Sequence, residues 1–151
     1  MPAASTSEAP SRVGAIARGA VRVLLGASLL LAGIGHLSFA RAEFQAQVPP
    51  WLPLDADLVV VASGVVEIAL SLGLLLLRRH RALVGLAAAA FFIAVFPGNI
   101  AQWVEGRDAF GLDSDAARFT RLLFQPLLVI AALWSTGAWR ELRRWWRERR
   151  S

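Results

Sequence analysis

The sequence predicts an all-α fold: an integral membrane four-helix bundle with N- and C-termini cytoplasmic. Three observations carry that prediction. Hydrophobic residues make up 56% of the 151, and mean hydropathy is +0.53. They gather in four blocks, at about 23–40, 58–77, 82–104 and 119–139. Each block approaches the ~20 residues that an α-helix needs to cross a bilayer core. The charges between the blocks alternate in sign. Arg12, Arg18 and Arg22 precede the first block, and acidic Glu43, Asp55 and Asp57 outweigh Arg41 after it. The basic turn "RRHR" at 78–81 follows the second, and Glu105, Asp108, Asp113 and Asp115 outweigh Arg107 and Arg118 after the third. The tail "RELRRWWRERR" is again basic. This order is what the positive-inside rule gives for four spans with both ends inside.

Residues 1–11 are small and polar with two prolines, and predict a disordered arm. Arg12 to Arg22 leads helically into the first span, so the membrane domain is read as 12–139. Gly26 and Gly33 fall on one face of that span, which invites close helix packing. Ala40-Arg41-Ala42 resembles a signal-peptidase site, but the preceding apolar run is longer than an h-region of about 7–15 residues, so a retained span is expected. The connection that follows carries Pro49, Pro50, Trp51 and Pro53, and is expected at the headgroup level with Trp51 and Phe44 as anchors, or as a short lid. The tight basic turn predicts that spans two and three are antiparallel neighbours. "DSDAAR" predicts an N-cap at Asp113 or Ser114 opening the fourth span. In the tail, 140–151, an amphipathic helix is expected, with Trp139, Leu142 and Trp146 on one face and Arg around them, suited to anionic lipid.

Composition also excludes chemistry. The net charge of +5 and pI near 11.5 would admit a nucleic-acid partner, but the arginines flank apolar blocks, so none is expected. Cysteine is absent, which excludes disulfide relays and thiolate metal sites, and no metal site is expected. His36 and His80 belong to opposite ends of a ~30 Å core and cannot jointly ligate one haem. No nucleotide-binding fingerprint is present, so a stand-alone enzyme is not the favoured expectation and no catalytic residue is assigned.

Polar groups at membrane depth mark the candidate site, since a charge there costs at least ~2.5 kcal/mol. Glu67 lies mid-block, with Ser63 and Ser71 one turn to either side and Gly64 nearby. Such a stripe must face the bundle interior, either to fix packing or to meet a ligand or proton. His36 is expected further toward the outer face, where contact with Glu67 is left open. Asn99 and Gln102 follow the helix breakers Pro97 and Gly98 in "FFIAVFPGNIAQW". Arg121 and Gln125 precede or adjoin Pro126. Pro97 and Pro126 cannot donate to the carbonyls of Ile93 and Leu122, so something else must satisfy them. Both prolines, His36, Asn99, Gln102, Arg121 and Gln125 fall in the outer half, while the inner half offers little beyond Ser135 and Thr136. The expected result is a polar cleft opening outward, with Glu67 at its floor.

In order and spacing, "GIGHLSFARAEFQAQVPPWLP", "SGVVEIALSLGLLL", "AVFPGNIAQW" and "RLLFQPLLVIAALW" resemble the DoxX-like family of small four-helix membrane proteins. The resemblance runs from about Gly33 to Trp134. It implies a bacterial inner (plasma) membrane protein and no single activity. The leading expectation is an accessory subunit of a quinone-linked or oxidative-stress redox system. Such a subunit would have no covalently bound cofactor, a quinone as the ligand to consider and a redox protein as partner. A non-enzymatic scaffold, assembly factor or chaperone is the alternative, and a small transporter ranks below both. Oligomerisation is left open.

Overall fold

A computed structural model describes residues 12–150, and among them every regular element is a helix and no strand occurs. The expected disordered arm, 1–11, lies outside the described residues. Helix α1 spans Arg12–Leu37, short α2 Arg41–Gln45, α3 Ala56–Leu76, α4 Arg81–Val104, α5 Asp115–Thr136 and α6 Ala138–Glu148. A single 3₁₀ turn, Arg78–His80, joins α3 to α4. Helices α1, α3, α4 (with its preceding turn) and α5 are long and apolar enough to cross a membrane.

The helix ends show which local signals acted. Asp55 caps α3 by accepting a hydrogen bond from the Leu58 amide at 2.9 Å, and Ser114 caps α5 through the Ala117 amide at 3.3 Å. Of the two cap candidates in "DSDAAR", Ser114 is therefore the one used. Helix α1 stops at Leu37 rather than continuing to residue 40. The amides of Ser38 and Ala40 both return to the Gly35 carbonyl, which ends the helix in a turn. Helix α5 stops at Thr136 rather than 139, because Gly137 adopts a left-handed conformation (φ 77°). The tail helix therefore begins at Ala138, ahead of the expected 140.

The helices pack as two intimate pairs, α1 with α3 and α4 with α5. The first pair is set by small residues. A Cβ on Gly64 would lie 2.7 Å from the His36 Cβ and 3.0 Å from the Gly33 carbonyl oxygen, and a Cβ on Gly33 would lie 2.8 Å from the Gly64 oxygen. The two backbones thus touch where glycine alone fits. One to two turns away, the buried Ser71 hydroxyl donates to the Gly26 carbonyl at 2.7 Å and locks the register.

Helices α3 and α4 are antiparallel neighbours across the basic turn, but not along their whole length. They meet near their shared turn, where Gly73 packs on Val84, but their mutual contact is slight compared with either pair. A short turn fixes antiparallel direction but not contact along the whole length. The apolar core, built on Leu25, Leu29, Leu74, Ala88, Ala89, Phe92 and Ala132, occupies the half nearer that turn. We call this the basic end, and the end bearing the 38–55 and 105–114 connections the loop end.

The glycine contact makes a direct prediction. Gly64→Val should destabilise the bundle by about 1–3 kcal/mol, the usual cost of overpacking, because the obstruction includes backbone. Gly19→Ala, with nothing within 4 Å of the added Cβ, should not. Thermal unfolding of the two variants in detergent checks this, and equal midpoints would contradict it.

Candidate functional site

Where α3 and α4 separate, the loop half of the bundle encloses a cavity of about 500 Å³. All four long helices and the 38–55 connection line it. Its walls are mostly apolar, with Leu25, Leu29, Val60, Phe91, Phe92 and Leu128 among them, and its polar groups sit in two clusters.

The first cluster lies on the α1–α3 side. Glu67 is buried, with 8% of its surface exposed, and His36 with 7%. The glycine contact brings them together: His36 Nδ1 lies 2.9 Å from Glu67 Oε2. The same nitrogen lies 2.9 Å from the Ala32 carbonyl oxygen, one turn back on α1. One nitrogen cannot point a single N–H squarely at both oxygens. The Ala32 direction is the aligned one, and Glu67 Oε2, though buried and in contact, has no aligned hydrogen bond. The Phe44 ring stacks on the imidazole at 3.4 Å between centroids, and Phe110 meets Phe44 edge-on at 4.7 Å. The sequence offers Phe44 as a headgroup anchor or part of a lid; its ring covers the histidine, and no periodicity in a short loop could have signalled that contact.

The second cluster ties α4 to α5. Gln125 is bonded at both ends of its amide: Nε2 donates to the Phe92 carbonyl at 2.6 Å, and Oε1 accepts from Asn99 Nδ2 at 3.1 Å. The bonds straddle Pro97 and begin beside Pro126, so the side chains cross-link two helices that each contain a proline. The carbonyls freed by proline are those of Ile93 and Leu122; the one held by a side-chain amide, Phe92, lies one residue before Ile93. Arg121 Nη1 donates to Gln102 Oε1 at 3.0 Å, and its guanidinium lies 5.4 Å from the Phe110 ring centre.

His36, Glu67, Asn99, Arg121 and Gln125 all line the cavity, as do Pro49, Trp51, Pro97 and Gly98. Gln102 does not; with 2% exposure it stands behind the wall, holding Arg121 and donating to the Arg107 carbonyl at 3.2 Å. Pro50, Pro53 and Pro126 are also absent from the lining. Nor is Glu67 at the floor. The lining continues past it to Leu25, Ser28 and Leu128, so the carboxyl stands on a side wall.

The loop end is cross-tied above the cavity. Glu43 accepts from the Phe110 amide at 2.6 Å, and Arg107 Nη1 donates to the Val48 carbonyl at 3.0 Å. Gly98 is needed here, because a Cβ would meet the Gln47 carbonyl oxygen at 2.5 Å. Arg41 pairs with Asp57 through two hydrogen bonds, and its pKa is raised by that bonding. Arg118, read from sequence as a flanking charge, is buried and bonds Asp108 at 2.6 Å and Asp115 at 2.8 Å. It organises the 105–114 connection. The 38–55 connection therefore acts as a lid over the bundle, although Trp51 remains exposed.

The Gln125 bridge yields a second prediction. Gln125→Leu leaves the Asn99 amide and the Phe92 carbonyl without these partners and should cost about 1–2 kcal/mol, the scale of interhelical polar contacts in membranes. Adding Asn99→Leu should cost less than the sum of the single changes, because both act through one network. Unfolding of the singles and the double in detergent measures this; full additivity would contradict the bridge.

No curated protein and no solved structure matches the chain. Residues 25–136, which include every residue lining the cavity, match a family described as a domain of unknown function (DUF8561). The match covers most of the sequence, and the chain belongs to the DUF8561 family.

Proposed function

We propose that the chain is a four-span, DoxX-like protein of the bacterial inner membrane, both termini cytoplasmic, that binds a small lipid-soluble quinone as accessory subunit of a membrane redox system. The observation that carries this reading is the pairing of a buried carboxyl lacking an aligned hydrogen bond with a largely apolar cavity of about 500 Å³. That volume falls in the ~300–1,000 Å³ range of small-molecule sites, and a few polar groups on apolar walls is their usual make-up.

The residues fit a quinone in kind. An apolar ring with oxygens at two opposite positions calls for flat apolar walls and polar groups on two sides. Phe91, Phe92 and Leu128 supply walls. His36 with Glu67 on one side, and Asn99 with Arg121 on the other, supply the polar groups. Electrons would come from a partner protein, since the chain has no cysteine. Its own part would be to hold the ring, exclude water and present a carboxyl and an imidazole to one oxygen. Ala94 and Pro97 line the cavity and are exposed part-way along α4, which suits entry from the lipid side.

A scaffold or assembly role is the second reading. It is favoured by the exposed Trp51 and Leu54 on the loop end, 66% and 57% accessible, which would offer a partner an apolar handle.

Titration of a short-chain benzoquinone into the purified protein, followed by quenching of tryptophan fluorescence, tests the binding reading, because Trp51 lines the cavity. Saturable quenching is expected, weakened about tenfold, the equivalent of ~1.4 kcal/mol, by Glu67→Gln or Asn99→Leu. Non-saturable quenching, identical in both variants, would contradict ligand binding and leave the scaffold reading in its place.

A further inference from the structure

The basic end, which sequence reasoning found poor in chemistry, holds a second cavity of about 230 Å³. Four arginines line it: Arg18 and Arg22 from α1, Arg81 from α4 and Arg140 from α6. Ser135 and Thr136, at the end of α5, line it as well. No carboxylate contributes, and among the described residues none of the four arginines forms an ion pair. The buried Arg118 makes the contrast, since it has two aspartates.

Two buried polar atoms here have no partner. Ser135, only 6% exposed, has a hydroxyl without a hydrogen bond, as does the Nε of Arg22. The neighbouring Thr136 hydroxyl, by contrast, donates to the Ala132 carbonyl at 2.6 Å. The free groups are thus guanidinium donors and one hydroxyl, with no anion among them. Four like charges brought together repel one another, and a buried hydroxyl without a partner is destabilising. Both penalties are relieved by one kind of occupant, an anion with several acceptor oxygens. Guanidinium forks match phosphate oxygens in pairs, and the hydroxyl can donate to another.

We infer that the basic end carries a phosphate-binding site formed by Arg18, Arg22, Arg81, Arg140 and Ser135. Its ligand is a phosphate group, either the headgroup of an anionic phospholipid or a free phosphate ion. The site is separate from the amphipathic face of α6. There the arginines lie over tryptophans instead, Arg143 at 5.0 Å from the Trp139 ring centre and Arg149 at 4.0 Å from that of Trp145. It is also independent of the loop-half cavity, with which it shares no lining residue. The volume leaves room for more than a bare ion, given ~30 Å³ for each water in the liquid.

The test measures affinity of the full chain, in neutral detergent, for phosphatidylglycerol, for phosphatidylcholine as a control and for inorganic phosphate. Saturable binding of phosphatidylglycerol or of inorganic phosphate is expected, weakened about tenfold by Arg22→Gln, as for loss of one charge-assisted bond. Ser135→Ala, which removes a single oxygen and should not disturb folding, should weaken it severalfold. Arg143→Gln with Arg147→Gln, on the tail outside the cavity, should leave it nearly unchanged. Displacement of the lipid by inorganic phosphate identifies a free-ion site; lipid binding that phosphate does not displace identifies a headgroup site. Absence of saturable binding by both probes would overturn the inference, and so would a loss as large in the tail variant as in Arg22→Gln.

Discussion

Burial of the Glu67 carboxyl inside an apolar bundle is the constraint to which the rest of the loop half answers. A charged group in apolar surroundings is costly unless it is paired, and a helix with such a residue among apolar neighbours turns it inward. Helix α3 does so against α1, where Gly33 and Gly64 let two backbones touch and carry His36 to within 2.9 Å of the carboxylate. The imidazole is in turn committed to Ala32 and stacked under Phe44. It lies beside Glu67 without giving it an aligned bond. The carboxyl therefore lines the cavity with Oε2 approached by the imidazole yet without an aligned hydrogen bond, an arrangement costly for stability alone and useful where a further group is to be held.

The cavity exists because the other half of the bundle is braced elsewhere. Helices α4 and α5 each contain a proline, and the Asn99–Gln125–Phe92 bridge ties the two together there. With α1 on α3 and α4 on α5 as tight pairs, α3 and α4 meet only near their turn and stand apart toward the loop end. The loops then close over the gap through backbone carbonyls: Val48 takes Arg107, and Gln47 seats against Gly98. A polar wall is built at the cost of packing density, while the main apolar cluster lies toward the basic half and meets the cavity at Leu25, Leu29 and Phe92.

The four helices and the residues of the site were legible because length, charge alternation and the price of a mid-span carboxyl act on local sequence. Glu67, Asn99 and Gln125 stood out as polar residues in apolar runs, and each lines the cavity. What sequence did not disclose was pairing. Whether α4 packs on α3 or α5 depends on side-chain shape over the full contact, not on the shortness of one turn. The stacking of Phe44 on His36 and the burial of Arg118 depend on where loops settle, and loops carry no periodicity. Gln102, indistinguishable from Asn99 by position in the run, faces the loop rather than the cavity because its carbonyl serves Arg121 and its amide the Arg107 backbone. The four arginines of the basic end escaped notice for the same reason: they come from three separate helices and converge only in the fold.

The central claim is that Glu67 faces a space made for a ligand. Structure determination of the protein extracted gently from its native membrane tests it most directly. The account predicts non-protein density in the loop-half cavity, touching Glu67 on one wall and Asn99 or Arg121 on the other. A cavity closed by repacking of Phe91 and Phe92, with both Glu67 oxygens hydrogen-bonded to protein, would contradict it.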